Sequence, residues 1–210
     1  MPETGAETSV NGQTQPPINH EDSTPLRTLC AELHAKVEAF VQEDVETETL
    51  KNVQTQCRHS LSIISEALER YPTSTKYHLA LSRYVSQKGM KAAFAEYLSG
   101  AGSSIQAIFV GTRRTDPHGA SLTPFDPTDR GWPPFMRVHP VLEWRYKEVW
   151  AFLRYMRVEY CVLYERGYTS LGGTNDTHPN PRLKVEGVGG AYRPAWMLEQ
   201  EGDERAGRES

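Results

Sequence analysis

Between Ile108 and Leu183 the chain reads IFVGTRRTDPHG, then DRGWPPFMRVHPVLEW, then LYERGYTSLGGTNDTHPNPRL. Arginines, aspartates, tight-turn residues and aromatics are packed here more densely than a plain scaffold requires. The chemistry this combination serves is the binding of an anionic, aromatic ligand. Arg113 and Arg114 offer planar, permanently charged forks suited to phosphate oxygens. Asp116 beside them can orient an arginine, accept from a ligand N–H, or hold Mg²⁺. Taken alone this R-R-x-D string also fits a surface loop with ion pairs. A second group follows: Asp126, Asp129, Arg130, Trp132 and Arg137, spaced by Pro127, Gly131, Pro133 and Pro134. Prolines restrict the backbone, so Trp132 is a candidate stacking wall for a flat ring, or a cap on the core. Tyr168, Thr169, Ser170, Gly172 and Gly173 form a loop that can approach a ligand closely, because glycine permits it. No G-x-S-x-G elbow surrounds Ser170, so it is not expected to be a nucleophile. Arg205 and Arg208 sit one helical turn apart and could project together at an anion, or lie in a solvated charged tail. His118, His139 and His178 have no metal-like spacing.

These residues need elements to hold them. Thr24-Pro25 reads as a helix start, with a capping hydroxyl and then proline in the first turn. Leu26, Leu29, Leu33, Val37, Phe40 and Val41 continue at helical spacing. A second helix carries Leu50, Val53, Cys57, Leu61, Ile64 and Leu68 on one face and ends before Pro72. Tyr77 to Val85 reads as a short strand. Met90, Ala93, Phe94, Tyr97 and Leu98 form a third helix closed by Gly100. The apolar run Ile105 to Val110 predicts a buried strand ending at Gly111. A helix followed by such a strand is the repeating unit of a parallel α/β sheet. Ligands bind beyond the carboxyl ends of its strands, where GTRRTDPHG falls. Phe135 to Val141 reads as a further strand and Glu143 to Met156 as a helix facing inward through Tyr146, Val149, Trp150 and Leu153. A short helix spans Tyr160–Glu165, and Thr169–Pro181 is turn chemistry.

Bulk properties narrow the field. The chain has 210 residues and a net charge of −4, with no global basic field for nucleic acid. No run approaches the length of a membrane span. The N-terminal segment has no Lys or Arg before Arg27 and no apolar stretch, unlike a secretory or transit peptide. The three cysteines of the whole chain, Cys30, Cys57 and Cys161, form no C-x-x-C pair, so a cytoplasmic, reducing setting is the expectation. The organisation expected is a disordered segment 1–25, one domain over 26–198, and a charged tail over 199–210.

With these motifs in view, Gly111–Gly119, Asp129–Trp144 and Leu163–Pro181 resemble the eukaryotic, fungal-type FAD synthase (FMN adenylyltransferase) family, which is similar to the PAPS reductases of the PP-loop superfamily. The likeness runs from Ile105 to Leu183 and resumes at Pro194–Leu198 and Glu204–Arg208. It implies an α/β fold with a Rossmann-like parallel sheet, and transfer of AMP from ATP to FMN with Mg²⁺, giving FAD and pyrophosphate. It further implies that Gly111, Arg113 and Arg114 meet nucleotide or phosphate. Asp129, Trp132 and Arg137 would bind flavin, and Asp116, Arg205 and Arg208 would act at the reacting phosphates. The partners implied are small molecules. Reductases of the group need a redox cysteine just after the G-Y-x-S-x-G turn. Here Gly167-Tyr168-Thr169-Ser170-Leu171-Gly172 has none near, which disfavours that thiol chemistry.

The chain departs from the family at one point. The S-x-N-G-G-K-D loop that cradles ATP phosphates on backbone N–H groups is missing, and no Gly-Gly-Lys occurs anywhere in the chain. The helix ending at Tyr71 runs directly into Thr73–Val85. The sheet is therefore expected to lack its first strands, and turnover to be severely weakened or absent. A non-catalytic flavin-binding remnant is the alternative.

Overall fold

The computed structural model describes residues 23–72, 87–100, 102–187 and 190–208. The predicted strand over Tyr77–Val85 and most of the segment 1–25 lie outside the described residues.

Helix α1, Ser23–Gln42, packs on α2, Glu48–Arg70. Thr47 caps α2, its hydroxyl accepting from the Leu50 N–H at 3.3 Å. The carbonyls at the end of α1 lack helical partners, and α2 supplies them. The Gln54 amide donates to the Phe40 carbonyl at 2.6 Å and the Glu43 carbonyl at 2.8 Å, and Arg58 donates to the Val41 carbonyl. The buried face of α2 is Val53, Gln54, Cys57, Ser60, Ile63 and Ala67. This is rotated from the face that its leucines predict: Leu61 and Leu68 are 37% and 39% exposed. The reason is that polar Gln54 and Ser60 are drawn inward by hydrogen bonds, while small Ala67 lets the helix sit close to the sheet. Ser60 donates to the Pro140 carbonyl at 2.7 Å and accepts from the Trp144 indole at 2.9 Å.

Helix α3, Met90–Ser99, is closed by Gly100 as expected and buries no residue fully. Strands β1, Ala107–Phe109, β2, Phe125–Pro127, and β3, Met136–Val138, form a sheet in the order β1-β3-β2. β1 runs parallel to β3, with Ala107 opposite Met136, and β2 runs antiparallel to β3, with Asp126 opposite Arg137. The α/β class is as expected, but the sheet is mixed rather than parallel. The eight residues between β2 and β3 are enough for a hairpin and too few for a parallel crossover. Among the described residues β1 is an edge strand. A groove of about 540 Å³ runs along it, lined by Leu68, Tyr71, Pro72, Ile105 and Phe109. Phe109 is correspondingly 49% exposed, not buried.

Helix α4, Tyr146–Tyr155, is shorter than the predicted span. The Glu148 carboxylate accepts from the Arg145 N–H at 2.8 Å and so satisfies one donor at its start. Three apolar clusters result. Phe40, Val41, Val45, Val53, Cys57, Trp144 and Met156 join α1, α2 and α4. Ile63, Ala67 and Val138 seat α2 on the sheet. Tyr146, Trp150, Leu183, Ala195 and Leu198 pin the C-terminal third to α4. No helix of the described residues is long and apolar enough to cross a membrane.

Candidate functional site

The loop after β1 is organised by Asp116. One carboxylate oxygen accepts the Arg113 backbone N–H at 2.8 Å, and the other accepts from the Arg113 guanidinium at 2.9 Å. Turn bonds from Asp116 N–H to the Arg113 carbonyl and from Gly119 N–H to the Asp116 carbonyl complete the fold of TRRTDPHG. The same guanidinium nitrogen donates to Glu204 at 2.7 Å. Arg113 is thus held between two carboxylates at the carboxyl end of a strand parallel to its neighbour, where α/β sheets place ligands. A cavity of about 530 Å³ opens beside it, lined by Gly111, Arg113, Leu61, Tyr164, Thr169 and Glu204. Burial works against the Arg113 charge, but the bonds to Glu204 and Asp116 outweigh it and hold the guanidinium protonated. Burial pushes the Glu204 carboxyl above the ordinary glutamate value, with Arg113 acting in the opposite direction.

Glu204 reaches this place because the C-terminal segment is packed, although its composition predicts a charged tail. Glu201–Asp203 form one turn of 3-10 helix. The Thr169 hydroxyl donates to the Glu204 carbonyl at 2.6 Å, and the Asn180 amide donates to the Asp203 carbonyl at 2.8 Å. Thr177 and Arg208 form an isolated antiparallel bridge. Arg208 donates to the Asp176 carboxylate at 2.8 Å and its carbonyl at 3.2 Å. Its guanidinium lies over Gly172, where a Cβ would come within 2.1 Å of the nitrogens, so this approach requires glycine. Arg205 is exposed. The two arginines therefore have different surroundings, Arg208 committed to Asp176 and Arg205 adjacent to Glu204.

Arg114 points elsewhere. It pairs with Glu143 and donates to the carbonyls of Ala120 and Leu122 at 2.9 and 3.2 Å, bracing the loop against β3's continuation.

Of the second predicted group, Asp129, Trp132 and Arg137 come together at the β2–β3 hairpin, with Asp126 opposite Arg137. Arg137 donates to the two Asp129 oxygens at 3.4 and 3.2 Å and to the Pro127 carbonyl at 3.0 Å. Trp132 N–H donates to the Asp129 carbonyl at 3.0 Å, and Gly131 supplies the left-handed φ of 84° that this turn needs. Trp132 is 37% exposed and lines a separate cavity of about 1020 Å³ with Lys91, Pro133 and Pro134. The Lys91 ammonium stands 6.0 Å from its ring centre. Trp132 is not among the residues lining the cavity of Gly111 and Arg113.

His139, next to this hairpin, is 1% exposed, and neither ring nitrogen has a partner among the described residues. Burial, followed by the Arg137 charge, lowers its pKa, so the folded chain holds it neutral. The unfolded chain takes up a proton below pH 6.5 that the folded chain resists. Stability is therefore present above that value and falls as pH drops through it, by at most about 1.4 kcal/mol per pH unit. Urea midpoints from pH 7.5 to 5.5 should show this loss in the wild-type chain and a shallower one in His139→Asn. Equal slopes would remove His139 as the cause.

Sequence reasoning passed over Glu204, Asp176 and Asn180. The signal for Glu204 was present, since it directly precedes Arg205 in GDERAGR, but the alternating charges read as solvated tail.

With this geometry in hand, comparison with known proteins gives the lineage. Residues 31–179 match the model of the phosphoadenosine phosphosulfate reductase domain, and the chain belongs to that family. It is similar to the probable FAD synthase of Schizosaccharomyces pombe, 51% identical over 119 residues that make up 57% of this chain and 44% of that protein. It is 36% identical over 137 residues to the flavin adenine dinucleotide synthase of Saccharomyces cerevisiae, covering 62% of this chain and 44% of that one. The chain thus spans less than half the length of these relatives. Its fold is shared with crystal structures of Candida glabrata FMN adenylyltransferase. One superposes with a TM-score of 0.77 at 22% identity, over 88% of this chain and 97% of that one. Another of the same enzyme, with FAD and inorganic pyrophosphate, gives the same score.

Proposed function

We propose that this chain carries the flavin-facing part of an FMN adenylyltransferase site. The observation that carries the reading is the Arg113 guanidinium, fixed by Asp116 and Glu204 at the end of β1, in a chain similar to FAD synthases. In the reaction of such a site, an FMN phosphate oxygen attacks the α-phosphorus of ATP. A P–O–P linkage forms, the α–β bond breaks, and pyrophosphate leaves with the electron pair. Chemistry of this kind is mainly positioning and charge stabilisation. Arg113 faces phosphate beside Gly111, and Asp116 keeps Arg113 in place. Arg205 is the exposed arginine available to a reacting phosphate, and Arg208 fixes the loop through Asp176. Trp132 stacks on the flavin ring, with Asp129 and Arg137 as the anchored polar edge.

Mg²⁺ fits as a companion of the ATP phosphates. Among the described residues no group of three His, Cys, Asp or Glu side chains gathers to cage a metal. A magnesium ion that keeps phosphate and water ligands needs only one or two carboxylates. Asp116 is the candidate, at the cost of one bond to Arg113.

Two features weigh against a complete two-substrate site: the missing Gly-Gly-Lys and, among the described residues, the edge position of β1. Flavin binding should persist without ATP. Titration of FMN should quench its fluorescence, and Trp132→Ala or Arg137→Ala should each weaken binding by roughly tenfold or more, the size of one lost stacking or charged contact. A wild-type chain that leaves FMN fluorescence unchanged would defeat the reading.

A further inference from the structure

The Arg113–Glu204 contact has a second side. Arg113 offers a phosphate-bearing ligand its charge, yet two carboxylates already share one of its nitrogens, at 2.9 Å from Asp116 and 2.7 Å from Glu204. The two acids differ in how they are built in. Asp116 also accepts the Arg113 backbone N–H and so belongs to the loop's own turn. Glu204 comes from 91 residues away, and its carboxylate makes one described hydrogen bond, to Arg113. Its backbone is anchored independently by Thr169. The side chain lines the 530 Å³ cavity and is only 18% exposed, while Arg113 is 13% exposed. A half-buried carboxylate placed by a separate anchor against a ligand-facing arginine is a removable counter-charge.

We propose that Glu204 is a positioning residue that holds the Arg113 guanidinium in the cavity wall and, as a counter-charge, restrains its affinity for a phosphate-bearing ligand until the carboxylate is protonated. This rests on the reading of Arg113 as a phosphate-facing residue. The titratable and charged groups around Glu204 are Arg113 and Asp116 from the loop after β1, Tyr146 from α4, Tyr164 from the turn at Val162–Arg166, and neighbouring Arg205. Of these, burial raises Tyr146 and Tyr164 above the ordinary phenol value, so both stay neutral through the range tested. Burial likewise raises Glu204, which brings its protonation nearer neutrality than that of an ordinary glutamate.

The test compares FMN with riboflavin, which lacks the phosphate, by fluorescence titration from pH 8 down to 4.5, the ordinary glutamate value. Glu204→Gln keeps an acceptor for Arg113 but removes the charge. At pH 7.5 it is expected to bind FMN roughly tenfold more tightly than wild type, the effect of removing one screened charge a few ångströms away. The ratio should shrink as pH falls and Glu204 of the wild type takes up its proton. Riboflavin affinity should be the same in both. Glu204→Asp keeps the charge and should retain the wild-type pH dependence; melting curves report whether each variant is folded. If FMN binds but Glu204→Gln has the wild-type affinity and slope, or Glu204→Asp behaves as Glu204→Gln, the inference falls alone. If the wild type binds no FMN at any pH, the phosphate-facing reading of Arg113 falls and takes the inference with it.

Discussion

Supplied with Mg²⁺, ATP and FMN, this chain is expected to form FAD at least roughly a thousandfold more slowly than a relative carrying the Gly-Gly-Lys loop, since losing even one preorganised donor costs about a hundred- to a thousandfold. A nest of backbone N–H groups at a helix start stabilises phosphate charge because it is fixed before the reaction and has no competing partner. Three of the candidate arginines do not replace it, and exposed Arg205 is a single charge rather than a fixed nest. Arg113 is shared by Asp116 and Glu204, Arg114 is taken by Glu143, and Arg208 is taken by Asp176. Each would have to break an ion pair to reach an ATP phosphate, so its stabilising power is spent before the transition state. If, as proposed, the hairpin of Asp129, Trp132 and Arg137 binds the flavin, the loss should fall in kcat and in the KM for ATP, leaving FMN affinity near that of the relative. Chromatographic measurement of FAD under saturating FMN checks this. A rate within about tenfold of the relative, one or two kcal/mol in barrier height, would show that the cradle is dispensable or is rebuilt from other residues.

The parts of this arrangement that were legible in the sequence are those governed by local chemistry. Gly100 closes α3 and Pro72 follows the end of α2, because a helix stop depends on a few adjacent residues. Asp116 and Arg113 are three residues apart, so their turn is a property of one loop. The same holds for Asp129 and Trp132. What the pattern misjudged depends on distant partners. The leucines of α2 define an apolar stripe, yet Gln54 and Ser60 turn the helix because their acceptors and donors lie on α1, Pro140 and Trp144. Leu61 and Leu68 are left facing the cavity beside Arg113 and the groove along β1. β2 was missed because Pro127 marks its end and prolines dominate the hairpin. Glu204 was missed because anchoring of the 201–208 segment by Thr169 and Asn180, whose bonds span 35 and 23 residues, turns a charged string into a wall of the site.

That anchoring makes Asn180→Ala the substitution with the largest expected effect on stability, about 3 kcal/mol, or roughly 6–12 °C in melting temperature for a chain of this size. Asn180 is fully buried, and its amide is used at both ends. The nitrogen donates to the Thr169 hydroxyl and to the Asp203 carbonyl, each at 2.8 Å, and the oxygen accepts the Arg182 N–H at 2.9 Å. Its own backbone N–H is bonded to the Gly167 carbonyl at 2.8 Å, so the residue is held in place whatever its side chain. Alanine would leave that backbone seated while stripping partners from the buried Thr169 hydroxyl and from the part-buried Asp203 carbonyl and Arg182 N–H, which costs more than the loss of exposed bonds. Arg182→Ala is the internal comparison. It removes an ion pair to Asp203 at 3.1 Å from an arginine that is 66% exposed, and should change stability by less than about 1 kcal/mol. Because Asn180 and Thr169 together seat Asp203 and Glu204, Asn180→Ala should also free the C-terminal segment, seen as faster amide exchange over 201–208 than in Arg182→Ala. If the two variants lose the same stability and exchange alike, the buried amide is not what holds Glu204 against Arg113. The segment would then owe its position to the Asp176–Arg208 pair and the close fit of Arg208 over Gly172.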